Sequence, residues 1–355
     1  MAQWDVGVVG AGLSGLTAAR QLTQDGWSVL VLDKSRGLGG RVATRRVQGT
    51  GVDHGCRFMQ PWGLGPGFGW AQAQSQGWLQ PWNPVEFELS QAGLLSPRPA
   101  QGPYYVAAEG MSSLAKVLAQ GLEIQRLCRV EQLIPRAEGW QLQVESQPEA
   151  LGEVTVRTVL LALPAPQIPP LLTAALPLFP ELGEWLEPLG EVVFDPVITV
   201  MAGYGADTVP RLGEDATTAA TGWMVTAQEP SPLWWAALDS SKRLVAAHPV
   251  VVLHSHAQFA ASHLEAADLT PVGQQLLEQA AHNLAPWLGD PHWMQVHRWR
   301  YGLVRQPLPS PFLSTAAVPT LVGCGDWCGG QDGAAAIASG QAAASHLAQW
   351  LQTHS

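Results

Sequence analysis

Two spacings of apolar residues run through this chain, and the switch between them marks its elements. Val6, Val8 and Val9 form a short apolar run ending at Gly10, the pattern of a buried strand. From Leu16 to Gln24 apolar positions recur at helical spacing, and Gly26 closes that helix. A second run, Ser28-Val-Leu-Val-Leu, ends at the acid Asp33. Further along, the pattern predicts a helix over Met111–Gly121, a hairpin of Arg129–Pro135 with Trp140–Glu145, and a buried strand at Val159–Leu163. The middle of the chain predicts strands at Val192–Met201, Thr221–Ala227, Val250–Gln258 and His292–Trp299, with a helix over Thr270–Leu288 behind them. A last apolar run near Thr320–Gly323 precedes a small-residue helix, Ala334 to Leu351.

Composition narrows the class. With 355 residues the chain is long enough for about two domains, and a mean hydropathy near +0.05 excludes a disordered protein. No apolar run reaches the roughly 18 residues needed to span a bilayer. The net charge of −10 and the scarcity of lysine (Lys34, Lys116 and Lys242) leave no basic stripe for a phosphate backbone, so nucleic acid is excluded as a partner. Cys56, Cys128, Cys324 and Cys328 make neither a disulfide framework nor a C-x-x-C zinc site. The first strand begins within five residues of Met1, leaving no room for a targeting peptide, and the expectation is a cytoplasmic protein.

Gly10-Ala11-Gly12-Leu13-Ser14-Gly15 fills the turn of a βαβ unit with G-x-G-x-x-G, and Asp33 follows about 20 residues on. Gly10 permits the tight turn, Gly12 lets a pyrophosphate approach the backbone, and Gly15 lets helix and strand pack closely. Bare N–H groups at the helix start favour a diphosphate, while Asp33 suits an adenosine ribose. Immediately afterwards, Lys34-Ser-Arg36-Gly-Leu-Gly39-Gly40-Arg41 supplies a second glycine pair beside guanidinium groups. Arg41 is the expected fork. NAD alone does not need a second clamp, whereas extended FAD does, so FAD is the expected cofactor. Val130, on the first hairpin strand, joins this cofactor-binding set.

About 300 residues later, Cys324-Gly325-Asp326-Trp-Cys328 ends a strand and precedes the last helix at Gly333-Ala334-Ala335. Asp326 suits ribityl hydroxyls, and the helix N-terminus suits the N1–C2=O edge of a flavin. The alternative is an ordinary helix cap by Asp332.

Taken together, these segments resemble the FAD-dependent oxidoreductases that include the amine oxidases, and in detail the bacterial renalase-like branch. Besides the two glycine turns, the resemblance rests on Glu109-Gly-Met-Ser112, Leu161-Ala-Leu-Pro164, Val252-Leu-His254, His297-Arg-Trp-Arg-Tyr301 and Cys324-Gly-Asp-Trp-Cys328. It implies a two-domain fold like p-hydroxybenzoate hydroxylase, with a Rossmann-type FAD-binding domain and an α+β substrate domain on a mixed or antiparallel sheet. The expected division is 1–60, 104–166 and 312–355 for FAD, and 61–103 with 167–311 for substrate. The implied chemistry is oxidation of dihydro isomers of NAD(P), with hydride passing to flavin N5 and O2 giving H2O2. Two stretches depart from the renalase pattern where ring and substrate should meet. Asp53-His-Gly55-Cys56-Arg57 replaces D-x-G-A-Q, and Gln331-Asp-Gly333-Ala replaces R-x-E-G-A.

Arg57, His254, Arg298 and Tyr301 are the expected catalytic set. Arg57 holds an anionic substrate group if its segment runs beside the flavin; otherwise it pairs with a nearby acid. His254 either contacts a bound ring or is a satisfied sheet histidine. Arg298 and Tyr301 either orient a carboxamide or phosphate, or serve cross-strand packing. His254 and His256 alternate on the expected strand, but no third ligand sits at useful spacing, so no metal is expected. Cys324 and Cys328 are expected to be inert. Of the sixteen tryptophans, Trp234, Trp235 and Trp327 are the ones to place against a ring, the others being core. Gly63–Gly69 reads as a surface turn, which leaves no second βαβ fingerprint and makes any nicotinamide a substrate. A flavin amine oxidase and a non-catalytic flavin-binding protein are the rival readings.

Overall fold

Val29–Asp33 is apolar at nearly every position because both faces of its sheet are covered, as parallel sheets require. This computed structural model describes residues 3–61, 70–146, 153–213 and 217–354, so the expected turn at Gly63–Gly69 lies outside the described residues. Trp4–Val9 runs parallel to Val29–Asp33 on one side and to Val154–Leu161 on the other. Glu123–Arg126 and Leu321–Gly323 extend the parallel part, and the hairpin of Cys128–Arg136 with Gly139–Ser146 adds antiparallel strands, giving seven in all. Helices Leu13–Gln24 and Gly333–Thr353 pack together against this sheet through Leu16, Ala18, Leu22, Ile337, Ala344 and Leu347. The carboxyl ends of Trp4–Val9 and Leu321–Gly323 therefore meet the two glycine-bearing loops that follow them.

A second seven-stranded sheet runs in the order Trp293–Gln306, Val193–Gly203, Val250–Ser255, Leu233–Leu238, Trp223–Ala227, Val85–Leu89, Leu95–Pro97. It is antiparallel except where Trp223–Ala227 lies parallel to Val85–Leu89. Alternation divides its residues between two cores. Val251, Leu253, Ile198 and Val200 pack under helix Thr270–Asn283. Val250, Val252, Met201 and Trp235 point the other way and join the core of the nucleotide-binding sheet. His254 follows Val250 and Val252 in that alternation, which puts it on the face toward the cofactor domain.

Several expected boundaries move for local reasons. The strand expected over Val250–Gln258 stops at Ser255, and His256 is the extended residue that opens helix Ala257–Ser262. His254 and His256 thus share no strand face, and the Nε2 of His256 lies 3.0 Å from the carbonyl oxygen of Ala227. The helix expected to reach Leu288 ends at Asn283, because Pro286 forces Ala285 into an extended conformation. The strand expected to stop at Trp299 runs on to Gln306. A register shift between Asp195 and Val197 breaks its alternation, which hides the continuation in the sequence. Val85-Glu-Phe-Glu-Leu89 alternates apolar and acidic positions, a strand signal the sequence reading passed over, whereas Leu233–Leu238 has no alternation. In Leu233-Trp-Trp-Ala-Ala-Leu238 both faces are covered, so apolar residues occupy every position.

Candidate active site

Where the two sheets face each other lies a cleft of about 1530 Å³, lined by both glycine turns, the Asp326 loop and the end of the second sheet. At the first turn each glycine meets a different constraint. Gly10 has φ +107°, a conformation that side chains rarely adopt. A Cβ on Gly15 would run into the carbonyl oxygen of Gly10, so it enforces close packing. A Cβ on Gly12 meets nothing within 4 Å, because that residue fronts the open cleft. The second turn closes against the first. Gly39 N–H donates to the Ala11 carbonyl at 2.9 Å, and a Cβ on Gly40 would lie 3.7 Å from Gly12 Cα. Two glycine segments about 25 residues apart thus form one backbone cradle.

The polar groups around that cradle are held in place. Asp33 accepts from Ala11 N–H at 2.6 Å and from Ser35 N–H at 2.7 Å, which fixes its carboxylate at the mouth. Lys34 and Arg36 are exposed at the rim, and Val130 closes the same end from the hairpin. Arg41, expected as a free fork for the diphosphate, is instead paired with Asp326 at 2.6 Å. That ion pair joins the second turn to the loop that precedes the last helix. At that helix Asp332 accepts from Ala335 N–H at 2.8 Å, the ordinary cap, while Gly333 and Ala334 line the cleft. Gly325 donates to Ser339 Oγ at 3.0 Å. Of the expected cofactor residues, Ala11, Gly15 and Ala335 stand behind the surface, and Leu13, Ser14 and the others line it.

All four expected catalytic residues line the cleft, and Arg57 and His254 lie together at one end of it. Arg57 lies over Trp234, its Cζ 4.3 Å from the ring centroid, with Phe58 at 5.2 Å and Trp235 at 5.7 Å. No acid pairs with it among the described residues, contrary to the alternative that it simply makes an ion pair. Cation–π contact of this kind offsets roughly 0.5–2 kcal/mol of the cost of a half-buried charge. Burial lowers the Arg57 pKa to about 10, which still leaves it charged at neutral pH. Both indoles reach this group because the pairing of Leu233–Leu238 with Val250–Ser255 slips between Leu233 and Trp235. A bulge there re-aims Trp234 toward the side where Trp235 already faces His254.

His254 is buried beside Trp234 and Trp235, at ring centroids 6.3 and 5.2 Å away. Neither of its ring nitrogens has a hydrogen-bond partner among the described residues, so it is not a satisfied sheet histidine. The His54 backbone comes near but does not reach hydrogen-bonding geometry. Burial, followed by the fields of Arg57 and Lys242, pushes the His254 pKa well below its usual value and keeps the ring neutral. Tyr301 reaches the cleft with its ring 5.7 Å from Phe194. Arg298 lines the same cleft. Strand alternation turns Arg298 to the face opposite His297 and Trp299, and its guanidinium holds the carbonyls of Leu264 and Ala266.

Several residues of the site escaped the sequence reading. His54, His297 and Trp299 form a ring cluster, with His54 stacked on Trp299 at 5.3 Å and edge-on to His297 at 5.0 Å. Burial lowers the pKa of His54 and of His297 to about 4 each, aided at His54 by His297 and Arg45 and at His297 by Arg45 and Arg298. The spacing of His297 and Trp299 was a usable signal, since residues two apart on a strand share a face. Behind Arg57, a buried network ties the segment to the second sheet. Asp53 bonds Arg243 at 2.8 Å, Arg243 bonds Asp239 at 3.1 Å, and Asp239 bonds Lys242 at 2.8 Å. Nothing in the spacing of Asp53 and Asp239 announces this.

Cys324 and Cys328 are buried. Burial raises the pKa of Cys324 to about 12 and that of Cys328 further, so both stay protonated. Trp327 is fully buried and donates to the Leu163 carbonyl at 2.9 Å, which makes it core rather than a ring platform. No group of metal-ligating side chains is found among the described residues.

Comparison with known proteins places this geometry. Residues 8–67 match the NAD(P)-binding Rossmann-like domain model, and residues 92–348 match the model of the flavin containing amine oxidoreductases. The chain belongs to the flavin containing amine oxidoreductase family. It is 51% identical over 57 residues to a Mycobacterium tuberculosis protein provisionally named a flavin-containing monoamine oxidase. That match covers 16% of this chain and 13% of the relative. It is 58% identical over 45 residues to lysine-specific histone demethylase 1 homolog 1 of Arabidopsis thaliana, 13% of this chain and 5% of that protein. These curated relatives are thus matched over a small part of their length. The fold is similar to that of cyclohexylamine oxidase from Brevibacterium oxydans, with a TM-score of 0.71 at 12% identity, over 98% of this chain and 99% of that one. FAD is the cofactor of this family, and the residues fit it: an open backbone cradle at Gly12 and Gly40, an acid at the ribose position, and a helix start at the far end. Among the described residues no helix is long and apolar enough to cross a membrane.

Proposed function

We propose that this protein is a renalase-like FAD-dependent oxidase that takes hydride from a small reduced nitrogen heterocycle, the dihydro isomers of NAD(P) among them. The observation that carries this reading is that, among the described residues, no general base is bonded to the Arg57 group. The acids lining the cleft are Asp33, Glu131, Asp326 and Asp332, and none is bonded to the Arg57–Trp234–His254 group. The imidazoles there are neutral, with pKa values too low for efficient proton abstraction at pH 7. Such a site suits a donor that needs no deprotonation. A dihydropyridine is one, since its ring nitrogen pushes electrons outward as aromaticity returns.

Bound FAD supplies a hydride acceptor at N5 that returns its electrons to O2 as H2O2. Gly10–Gly15 and Gly39–Gly40 would hold its diphosphate, Asp33 its ribose, and Asp326 with the last helix its ribityl and ring edge. Phe58 lines the cleft beside the donor, Trp234 and Trp235 pack on Arg57, and the unpartnered nitrogens of His254 orient the donor's polar substituent. The sheet memberships support dividing the chain into 1–60, 104–166 and 312–355 for the cofactor and 61–103 with 167–311 for substrate. Four unpaired cysteines support a reducing cytoplasm.

A second reading, oxidation of a neutral amine, is favoured by the family match over residues 92–348. The deciding experiment is anaerobic titration of the yellow holoenzyme with borohydride-reduced NAD, a mixture of dihydro isomers, and with primary amines. Bleaching by the minor isomers alone supports the first reading. Bleaching by amines alone transfers the assignment to the second, and a flavin that never bleaches leaves a binding protein.

A further inference from the structure

We propose that Arg57, lying on Trp234 beside the unpartnered imidazole of His254, is a specificity-determining oxyanion site that selects planar nitrogen-ring donors carrying a negatively charged oxygen group. The inference rests on the proposed function and names the substrate class within it.

Three observations converge. First, the guanidinium carbon stands 4.3 Å from the centre of an indole ring, and a guanidinium holds its N–H donors in one plane, a fork matched to the two oxygens of a carboxylate or phosphate. Second, neighbouring arginines are committed to protein partners: Arg41 to Asp326, Arg243 to Asp53 and Asp239, and Arg298 to backbone carbonyls. Arg57 has aromatic neighbours and no acid among the described residues, which leaves its guanidinium available to an anionic ligand. Third, His254 is buried with both ring nitrogens unpartnered. A ring whose oxyanion meets Arg57 presents a polar edge to that imidazole, which satisfies both groups at once. The same cation repels a protonated amine, so the site discriminates by sign as well as by shape.

A ring carboxylate and the phosphate tail of a nucleotide would both satisfy this chemistry, and three probes separate them. The holoenzyme is titrated with nicotinate, nicotinamide mononucleotide and nicotinamide, and binding is read from the visible difference spectrum of its flavin. Tighter binding of nicotinate than nicotinamide, by about tenfold or more, assigns the oxyanion to the ring. The same preference for the mononucleotide alone assigns it to the phosphate. Arg57→Met, which keeps an apolar stem on Trp234, is expected to abolish either preference. Arg57→Lys keeps the charge without the planar fork and is expected to retain part of it, which covers the case in which the methionine variant does not hold FAD. Equal binding of all three probes, or an unaltered preference in both variants, overturns the proposal. Turnover is not measured, so failure of the dihydronicotinamide assay leaves this result independent.

Discussion

Replacing Gly12 by alanine separates the cofactor cradle from the fold that carries it. Gly12 has φ −78° and ψ −178°, an extended conformation open to any residue, and its added Cβ meets nothing within 4 Å. It also precedes helix Leu13–Gln24 as the N-cap, without a side-chain cap to lose. Alanine at an N-cap costs about 0.5–1 kcal/mol relative to glycine. The stiffer unfolded chain offsets roughly 0.4–1 kcal/mol of that. The apoprotein should therefore keep its stability to within about 0.5 kcal/mol. With FAD bound, the same methyl group stands where the diphosphate must approach the backbone. Overpacking of one methyl against a rigid partner costs about 1–3 kcal/mol, or roughly 5- to 150-fold in Kd. Gly15→Ala is the control with the opposite signature: its Cβ collides with the Gly10 carbonyl oxygen, so the apoprotein itself should lose stability. The assay is urea unfolding of both apoproteins, together with FAD titration followed by quenching of flavin fluorescence. Unchanged FAD affinity in Gly12→Ala would refute the placement of the diphosphate on this turn.

Two further outcomes follow from the buried charges. Asp239→Asn strips the partner from Lys242, which is fully buried, and weakens the bond to Arg243. Breaking such a network should lower stability by about 3–5 kcal/mol in urea titrations, and a loss under 1 kcal/mol would show that the charges are not held as described. His54 and His297 titrate near 4 in the folded protein against 6.5 for an exposed imidazole. Between those values the unfolded chain binds the more protons, so their contribution is complete above pH 6.5 and drains as the pH falls toward 4. For buried His54 this amounts to on the order of 3 kcal/mol. Urea midpoints at pH 7, 5.5 and 4.5 should fall accordingly, with a flatter profile in His54→Gln; parallel profiles would contradict the burial argument.

The sequence alone determined the parts of this protein whose signal is local. The turn at Gly10–Gly15, the acid at Asp33, the second pair at Gly39–Gly40 and the strand–loop–helix at Asp326 are each readable within a dozen residues, because phosphate binding needs bare backbone at fixed spacing. That was enough for the cofactor class and the α/β architecture. The pairing of Arg41 with Asp326 was decided only in three dimensions, since 285 residues separate them. The same holds for the substrate end. A one-residue slip in strand register puts Trp234 and Trp235 on the same ring cluster, and alternation along Trp293–Gln306 sends Arg298 to the face opposite His297 and Trp299. The Asp53–Arg243–Asp239–Lys242 network joins segments that no periodicity connects. Local backbone chemistry leaves its mark on neighbouring residues. The company that a side chain keeps across two sheets depends on register and packing, which are settled only when the whole core closes.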